Sequence, residues 1–202
     1  NPLYFHLDLE FNNRSNRKGK AESNAIWQTS VDWLYKDRYR FSFNYIIDEL
    51  ILDKVQIDSG KVNGVAFSSR LALINKGKKY FSNIFLSYLF IGSNTFSHEH
   101  GYNNFFHRGS PLGWVYGSDG DQIKIGLNYY NKKNVISSFE IGKIRVGEKS
   151  LIERKYMGYD NYLGGFFPSG NIKQINYIKF KLDWLLKDNI KFFAIVDNEN
   201  LI

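Results

Sequence analysis

The side chains with the most chemical potential lie between Gly92 and Asp121. The stretch holds His98-Glu99-His100, then Tyr102-Asn103-Asn104-Phe105-Phe106-His107-Arg108-Gly109-Ser110-Pro111-Leu112-Gly113-Trp114-Val115-Tyr116-Gly117-Ser118-Asp119-Gly120-Asp121. Three of the four histidines fall here. On a strand His98 and His100 point the same way, with Glu99 or His107 as a further donor, but no third ligand has the fixed spacing of a zinc site. Solvated loop histidines are the better reading, and no metal is expected. Asp119-Gly120-Asp121 is half of a calcium loop and lacks the other carboxylates; Asp119 is better suited to closing a turn before a strand. Ser110, His107 and Asp119 have the residue types of a nucleophilic triad, yet no strand–turn–helix elbow surrounds Ser110. Asp48 and Glu49 are adjacent and would face opposite ways on a strand. The glycines of the stretch are too irregularly spaced for a phosphate loop. Neither catalysis nor a cofactor is expected.

Sugar binding fits these residues better. Tyr102, Trp114 and Tyr116 can stack on pyranose faces. Asn103, Asn104, His107, Arg108 and Asp119 offer partners for hydroxyls and charge for acidic sugars. The competing reading is a loop that folds inward and packs the mouth of the structure carrying it.

That structure is legible from period-two alternation. Phe5, Leu7, Leu9 and Phe11 alternate with His6, Asp8 and Glu10; Trp27 to Tyr35, Tyr39 to Ile47, Ile123 to Tyr129 and Ile178 to Trp184 alternate in the same way. Strands flip side chains at every residue, so each segment has one apolar and one polar face. Helical spacing is not sustained anywhere. Roughly nine strands are predicted, near 4–11, 25–35, 39–47, 62–74, 79–91, 121–130, 134–145, 174–186 and 190–197. They exceed the usual five or six residues and match the nine to eleven of a tilted membrane strand. Short turns at Lys36-Asp37-Arg38, Lys76-Gly77-Lys78, Lys132-Lys133 and Lys187-Asp188-Asn189 alternate with long loops near 12–24, 48–61, 92–120 and 146–173. Outer-membrane barrels show this asymmetry. Trp33, Tyr35, Tyr39, Tyr80, Tyr129, Tyr130, Trp184 and Phe192 fall near the short turns, as an aromatic girdle would. Leu89-Phe90-Ile91 and Phe192 to Val196 break the pattern by being apolar on both faces, which suits a lumen packed by a plug or a soluble core.

Composition agrees. The 202 residues are 43% hydrophobic and 17% aromatic. No run approaches the ~20 apolar residues of a membrane helix; the longest candidate, Ile84 to Ile91, is interrupted by Ser87. With no cysteine, a disulfide scaffold, a thiolate site and a cysteine nucleophile are excluded. The net charge of +7 is spread over turns and strand faces without a basic run, so no nucleic-acid partner is expected. The chain opens on Asn1-Pro2 with no initiator Met, so a signal removed by processing or an internal piece of a longer chain is expected. The expected fold is therefore all-β, an antiparallel up-and-down transmembrane β-barrel, with 1–202 forming a single partial domain truncated at both ends.

The run Tyr102 to Asp121, with Arg108-Gly109-Ser110-Pro111-Leu112-Gly113 followed by Gly117-Ser118-Asp119 and a barrel-like strand, resembles the capsule-assembly Wzi family. The rest of the likeness is architectural. The resemblance implies an outer-membrane β-barrel of a Gram-negative-type bacterium, larger than nine strands, that helps anchor capsular polysaccharide as a lectin. Its implied partners are outer-membrane lipid, lipopolysaccharide and surface polysaccharide. The family's glycan-contacting residues do not map one by one, so the eight sugar-site residues rest on side-chain chemistry. A porin-like channel for small solutes and a soluble β-rich binding module are the alternatives.

Overall fold

Alternation gives each strand two unlike faces, and antiparallel pairing in register places like beside like. A computed structural model describes residues 26–98, 101, 104–131, 134–155, 157–158, 163–187 and 190–201. It shows an antiparallel up-and-down sheet of β1 (Trp27–Tyr35), β2 (Tyr39–Glu49), β3 (Gly64–Lys76), β4 (Tyr80–Ile91), β7 (Gly120–Asn131), β8 (Val135–Val146), β9 (Lys173–Lys187) and β10 (Ile190–Leu201), each paired with its neighbour in that order. β1 and β10 are its free edges, so the eight-stranded sheet is open among the described residues. The chain is all-β as expected, with the strands where alternation places them; the segment near 4–11 lies outside the described residues. One helix has no counterpart in the periodicity. Helix α1 (Lys54–Asp58) is five residues long, capped by Asp53, whose carboxylate accepts from Val55 N at 3.0 Å.

Trp33, Phe41, Leu71, Leu86, Ile125, Ile141 and Ile178 form one continuous row on one face. Tyr35, Tyr39, Leu73, Ile84, Leu127, Phe139, Phe180 and Val196 form the next. Among the described residues these two rows are uncovered: Trp33 is 58% and Leu71 57% exposed. A soluble sheet covers apolar surface on that scale. Trp33, Tyr35, Tyr39, Tyr80, Tyr129 and Trp184 project from it near the short turns, with Tyr80 stacked on Tyr129 at 6.3 Å. Tyr130, one residue out of phase, belongs to the opposite face.

The opposite face is polar. Ser30 donates to Asn44 at 2.7 Å and Asn44 to Ser68 at 3.2 Å, linking three strands. Arg40 pairs with Asp32, Lys124 with Glu140 at 3.3 Å, and Asn128 donates to Asn83 at 3.1 Å. Gly126 leaves room for Phe85, whose ring a Cβ there would meet at 2.5 Å, and Arg70 lies over that ring at 3.7 Å. The turn at Lys36 and Asp37 has φ of 49° and 50°, closed by Arg38 N donating to Tyr35 O, the positive-φ geometry whose twist matches a hairpin.

The apolar stretch does not keep to the rows. It runs from Tyr39 to Ile47 on β2 but from Ile178 to Trp184 on β9. Following the register, its ends sit two to three rows lower on β9 than on β2, five strands away. With ~6.8 Å per row and ~4.8 Å between strands, the band crosses the strands at about 30–40° from perpendicular.

Candidate functional site

The long connections at the other end of the strands fold onto the polar face. After Ile91 the chain turns back at Gly92, where a Cβ would meet Thr95 Oγ1 at 2.9 Å and Val65 O at 3.1 Å. Thr95 Oγ1 donates to Val65 O at 2.8 Å. Phe96 adopts φ of 67°, uncommon for a bulky residue, and its N–H donates to Asp48 at 2.6 Å. Asp48 is buried and sits at a register shift between Ile47 and Glu49; such a bulge re-aims a side chain. Phe96 and Leu151 then pack on Ala66 and Ile91, with Phe105, Phe106 and Trp114 around them. Trp114 also reaches a second cluster of Ile144, Val146, Ile175 and Tyr177. All six strand residues belong to the polar face. The described core is thus a cap seated in the mouth of the sheet.

Two polar side chains hold the cap together. Asp119 is fully buried with φ of 55°, and each carboxylate oxygen accepts two hydrogen bonds. One takes Ser93 Oγ and Ser169 N (3.0 Å); the other takes Lys149 N (2.9 Å) and Ser169 Oγ. A Cβ on Gly147 would stand 2.2 Å from the second oxygen, so the approach depends on that glycine. Asn104, also buried, accepts from His98 N at 2.7 Å, and its amide faces the carbonyls of Arg154, Lys155 and Met157 at 3.4, 3.2 and 3.0 Å. Both residues tie the 92–119 connection to the 147–172 connection.

On this frame stands a short hairpin, β5 (Phe106–His107) and β6 (Ser110–Pro111), turning through Arg108 and Gly109 at φ of 48° and 85°. His107 and Arg108 are exposed at its tip. Trp114 and Tyr116 are half-buried, their rings 5.2 Å apart and nearly edge-on. Ser150 Oγ donates to Tyr116 O, fixing that segment.

Of the eight residues expected to contact sugar, His107 and Arg108 present side chains to solvent, Trp114 and Tyr116 present part of theirs, and Asn104 and Asp119 are engaged inside the cap. Tyr102 and Asn103 lie outside the described residues, as do Glu99 and His100. Asp119 and Asp121, adjacent but for Gly120, serve different ends: Asp121 takes Arg145 Nε at 2.8 Å and the Tyr88 hydroxyl at 3.1 Å on the apolar face. Ser110 pairs with His107 across the hairpin, while both Asp119 oxygens face other donors. Among the described residues no three His, Asp or Glu side chains gather as a metal set. Asp48 was missed as an anchor, and only the bulge reveals it; the Arg108-Gly109 turn was readable from a glycine flanked by short extended segments. Behind the cap, Ser42, Asn44, Ser68, Arg70, Gln122 and Lys124 line a polar recess of about 310 Å³.

No protein-family model matches the chain, and no curated protein does. Among solved structures it is similar to Wzi, an outer-membrane protein involved in group 1 capsule assembly in Escherichia coli and a carbohydrate-binding β-barrel. The identity is 13% and the TM-score 0.66, over 94% of this chain and 40% of that one. The chain thus spans about two-fifths of the length of the Wzi structure. At that identity the likeness is one of fold: the eight-stranded sheet has the architecture of part of a Wzi-like outer-membrane β-barrel.

Proposed function

We propose that the protein is part of a bacterial outer-membrane β-barrel that binds surface polysaccharide and takes part in its attachment or assembly, without catalysis of its own. The observation that carries the reading is the pairing of a bare apolar face with a polar face whose mouth is capped. The course of the apolar band, about 30–40° from perpendicular to the strands, overlaps the roughly 35–45° strand tilt usual for membrane barrels. The cap, tied together by Asp119 and Asn104, covers the mouth of the polar face. It displays Arg108 and His107 for the carboxylates and hydroxyls of acidic sugars, beside the Trp114 and Tyr116 rings. The fold likeness to a carbohydrate-binding barrel supports the same conclusion.

The test is co-sedimentation of the full-length, detergent-solubilised protein with an acidic capsular polysaccharide. Arg108→Gly keeps the positive φ while removing the guanidinium, and is expected to weaken binding about tenfold, the scale of one charge-assisted contact. Unchanged binding in Arg108→Gly and His107→Ala together overturns the sugar site. A porin-like channel is the second reading, favoured by the polar recess around Arg70 and Lys124. Steady conductance across a planar bilayer would replace the lectin reading with it.

A further inference from the structure

On the apolar face, a groove of about 590 Å³ runs between β7, β8 and β9. Leu86, Ile123, Ile125, Ile141 and Ile178 wall it with Asn198 beside Ile178, and Lys143 and Asn176 stand at the end nearest the long loops. Lys143 is exposed and has no ion-pair partner among the described residues. Asp121, one row above it on β7, is already held by Arg145 and Tyr88. The groove thus offers an apolar trough that ends in an uncompensated cation, at the end of the sheet that carries the long loops.

We propose that this groove binds an acyl chain of a phosphorylated outer-leaflet lipid, with Lys143 and Asn176 taking its phosphate. The inference rests on the membrane reading above, in which the long-loop end faces the cell surface. Lys143 lies where the apolar band ends on β8, the level at which a lysine stem lies along apolar surface and its ammonium reaches the headgroups. Arg145 continues the basic edge one row higher, but its charge is matched by Asp121, so Lys143 carries the selectivity. A zwitterionic phospholipid would fill the trough but bring a single phosphate whose charge its own ammonium offsets, and so a weaker match for that cation.

The experiment is native mass spectrometry of the full-length protein, delipidated in detergent and titrated with hexa-acylated diphosphoryl lipid A or with phosphatidylcholine. Lipid A is expected to be retained preferentially. Lys143→Gln is expected to lower its retention about tenfold, and Ile125→Trp, which fills the trough without changing charge, to lower it comparably. Lys79→Gln, in a short turn at the other end, leaves retention unchanged. Equal retention of both lipids, or of lipid A by wild type and both site variants, overturns the site. A gel shift between unboiled and boiled samples separates the two levels of inference. If the shift persists while lipid selectivity is absent, the groove assignment falls and the barrel stands; if the protein is monodisperse without detergent and shows no shift, both fall.

Discussion

Removing the Asp119 carboxylate should loosen the cap while leaving the sheet intact, and the order of three variants follows from the geometry. Four donors converge on this side chain, two of them the backbone N–H groups of Lys149 and Ser169. The Ser93 and Ser169 hydroxyls can rotate to other roles, but a backbone N–H cannot. In Asp119→Asn one oxygen becomes an NH2, so one N–H loses its acceptor, at about 1–3 kcal/mol. In Asp119→Gly every carboxylate bond is lost: the Ser169 N–H is orphaned at about 1–3 kcal/mol, and the Lys149 N–H, left with only its second acceptor, Ser169 Oγ at 3.1 Å, adds about 0.5–1.5 kcal/mol. Asp119→Ala adds the left-handed backbone, which glycine tolerates and alanine does not, for a further ~1–2 kcal/mol. The assay is hydrogen exchange by mass spectrometry on the detergent-solubilised protein, following peptides that contain Ser93 and Lys149. At ~1.4 kcal/mol per decade, Asn should accelerate their exchange about 5- to 150-fold, with Gly faster and Ala fastest, until free opening of the loop sets a ceiling. Strand peptides from β3 and β7 should be unaffected. Equal exchange in Asn and Ala, or no acceleration in either, would refute the assignment of Asp119 as the tie between the two connections.

Three further outcomes follow from the same structure. Gly147→Ala drives a Cβ into the Asp119 carboxylate and should reproduce the exchange pattern of Asp119→Ala while the residue at 119 stays Asp. Gly126→Val drives a methyl into the Phe85 ring and, as overpacking, should cost about 1–3 kcal/mol in urea unfolding from lipid vesicles. Leu127→Arg, on the apolar face, should cost about 2–4 kcal/mol in the same assay, whereas Lys124→Arg on the polar face, beside Glu140, should be nearly neutral; equal costs would defeat the assignment of faces.

The strands were legible because alternation is local: Tyr39 to Ile47 declares its two faces without reference to any other residue. The cap was not, because its ties are distant. Asp119 meets Lys149 and Ser169, 30 and 50 positions on, and Asn104 meets Met157, so residue type alone left them equally suited to sugar hydroxyls. What could be read at Asp119 was the turn, and its φ of 55° bears that out. The apolar triplet Leu89-Phe90-Ile91, which strained the alternation, has one cause on each face. Ile91 is buried under the cap and Leu89 packs beside it, while Phe90 stacks outward on Phe67 at 5.2 Å and touches Phe167 at 4.5 Å. Helix α1 escaped notice because five residues capped by Asp53 bury nothing and so leave no periodic trace.

The diagonal course of the apolar band yields the sharpest test of membrane orientation. Phe43 and Lys143 share one row of the sheet, linked through Ser69, Tyr88 and Ile123. If rows were membrane planes, the two positions would lie at equal depth and a charge would be tolerated equally at both. In a tilted sheet they differ: Phe43 is at the centre of the stretch from Tyr39 to Ile47, whereas Lys143 lies just beyond the end of the stretch on β8. Phe43→Arg should therefore cost about 2–4 kcal/mol, as at the midplane. Lys143 already carries a cation, so its depth is read by removing it: Lys143→Phe, which extends the band upward, should change stability by only about 0–1 kcal/mol, as at an interface. Urea unfolding from vesicles measures both. A gain in Lys143→Phe as large as the loss in Phe43→Arg would mean that the two positions lie at one depth, and the groove ending at Lys143 would lose its headgroup level with it.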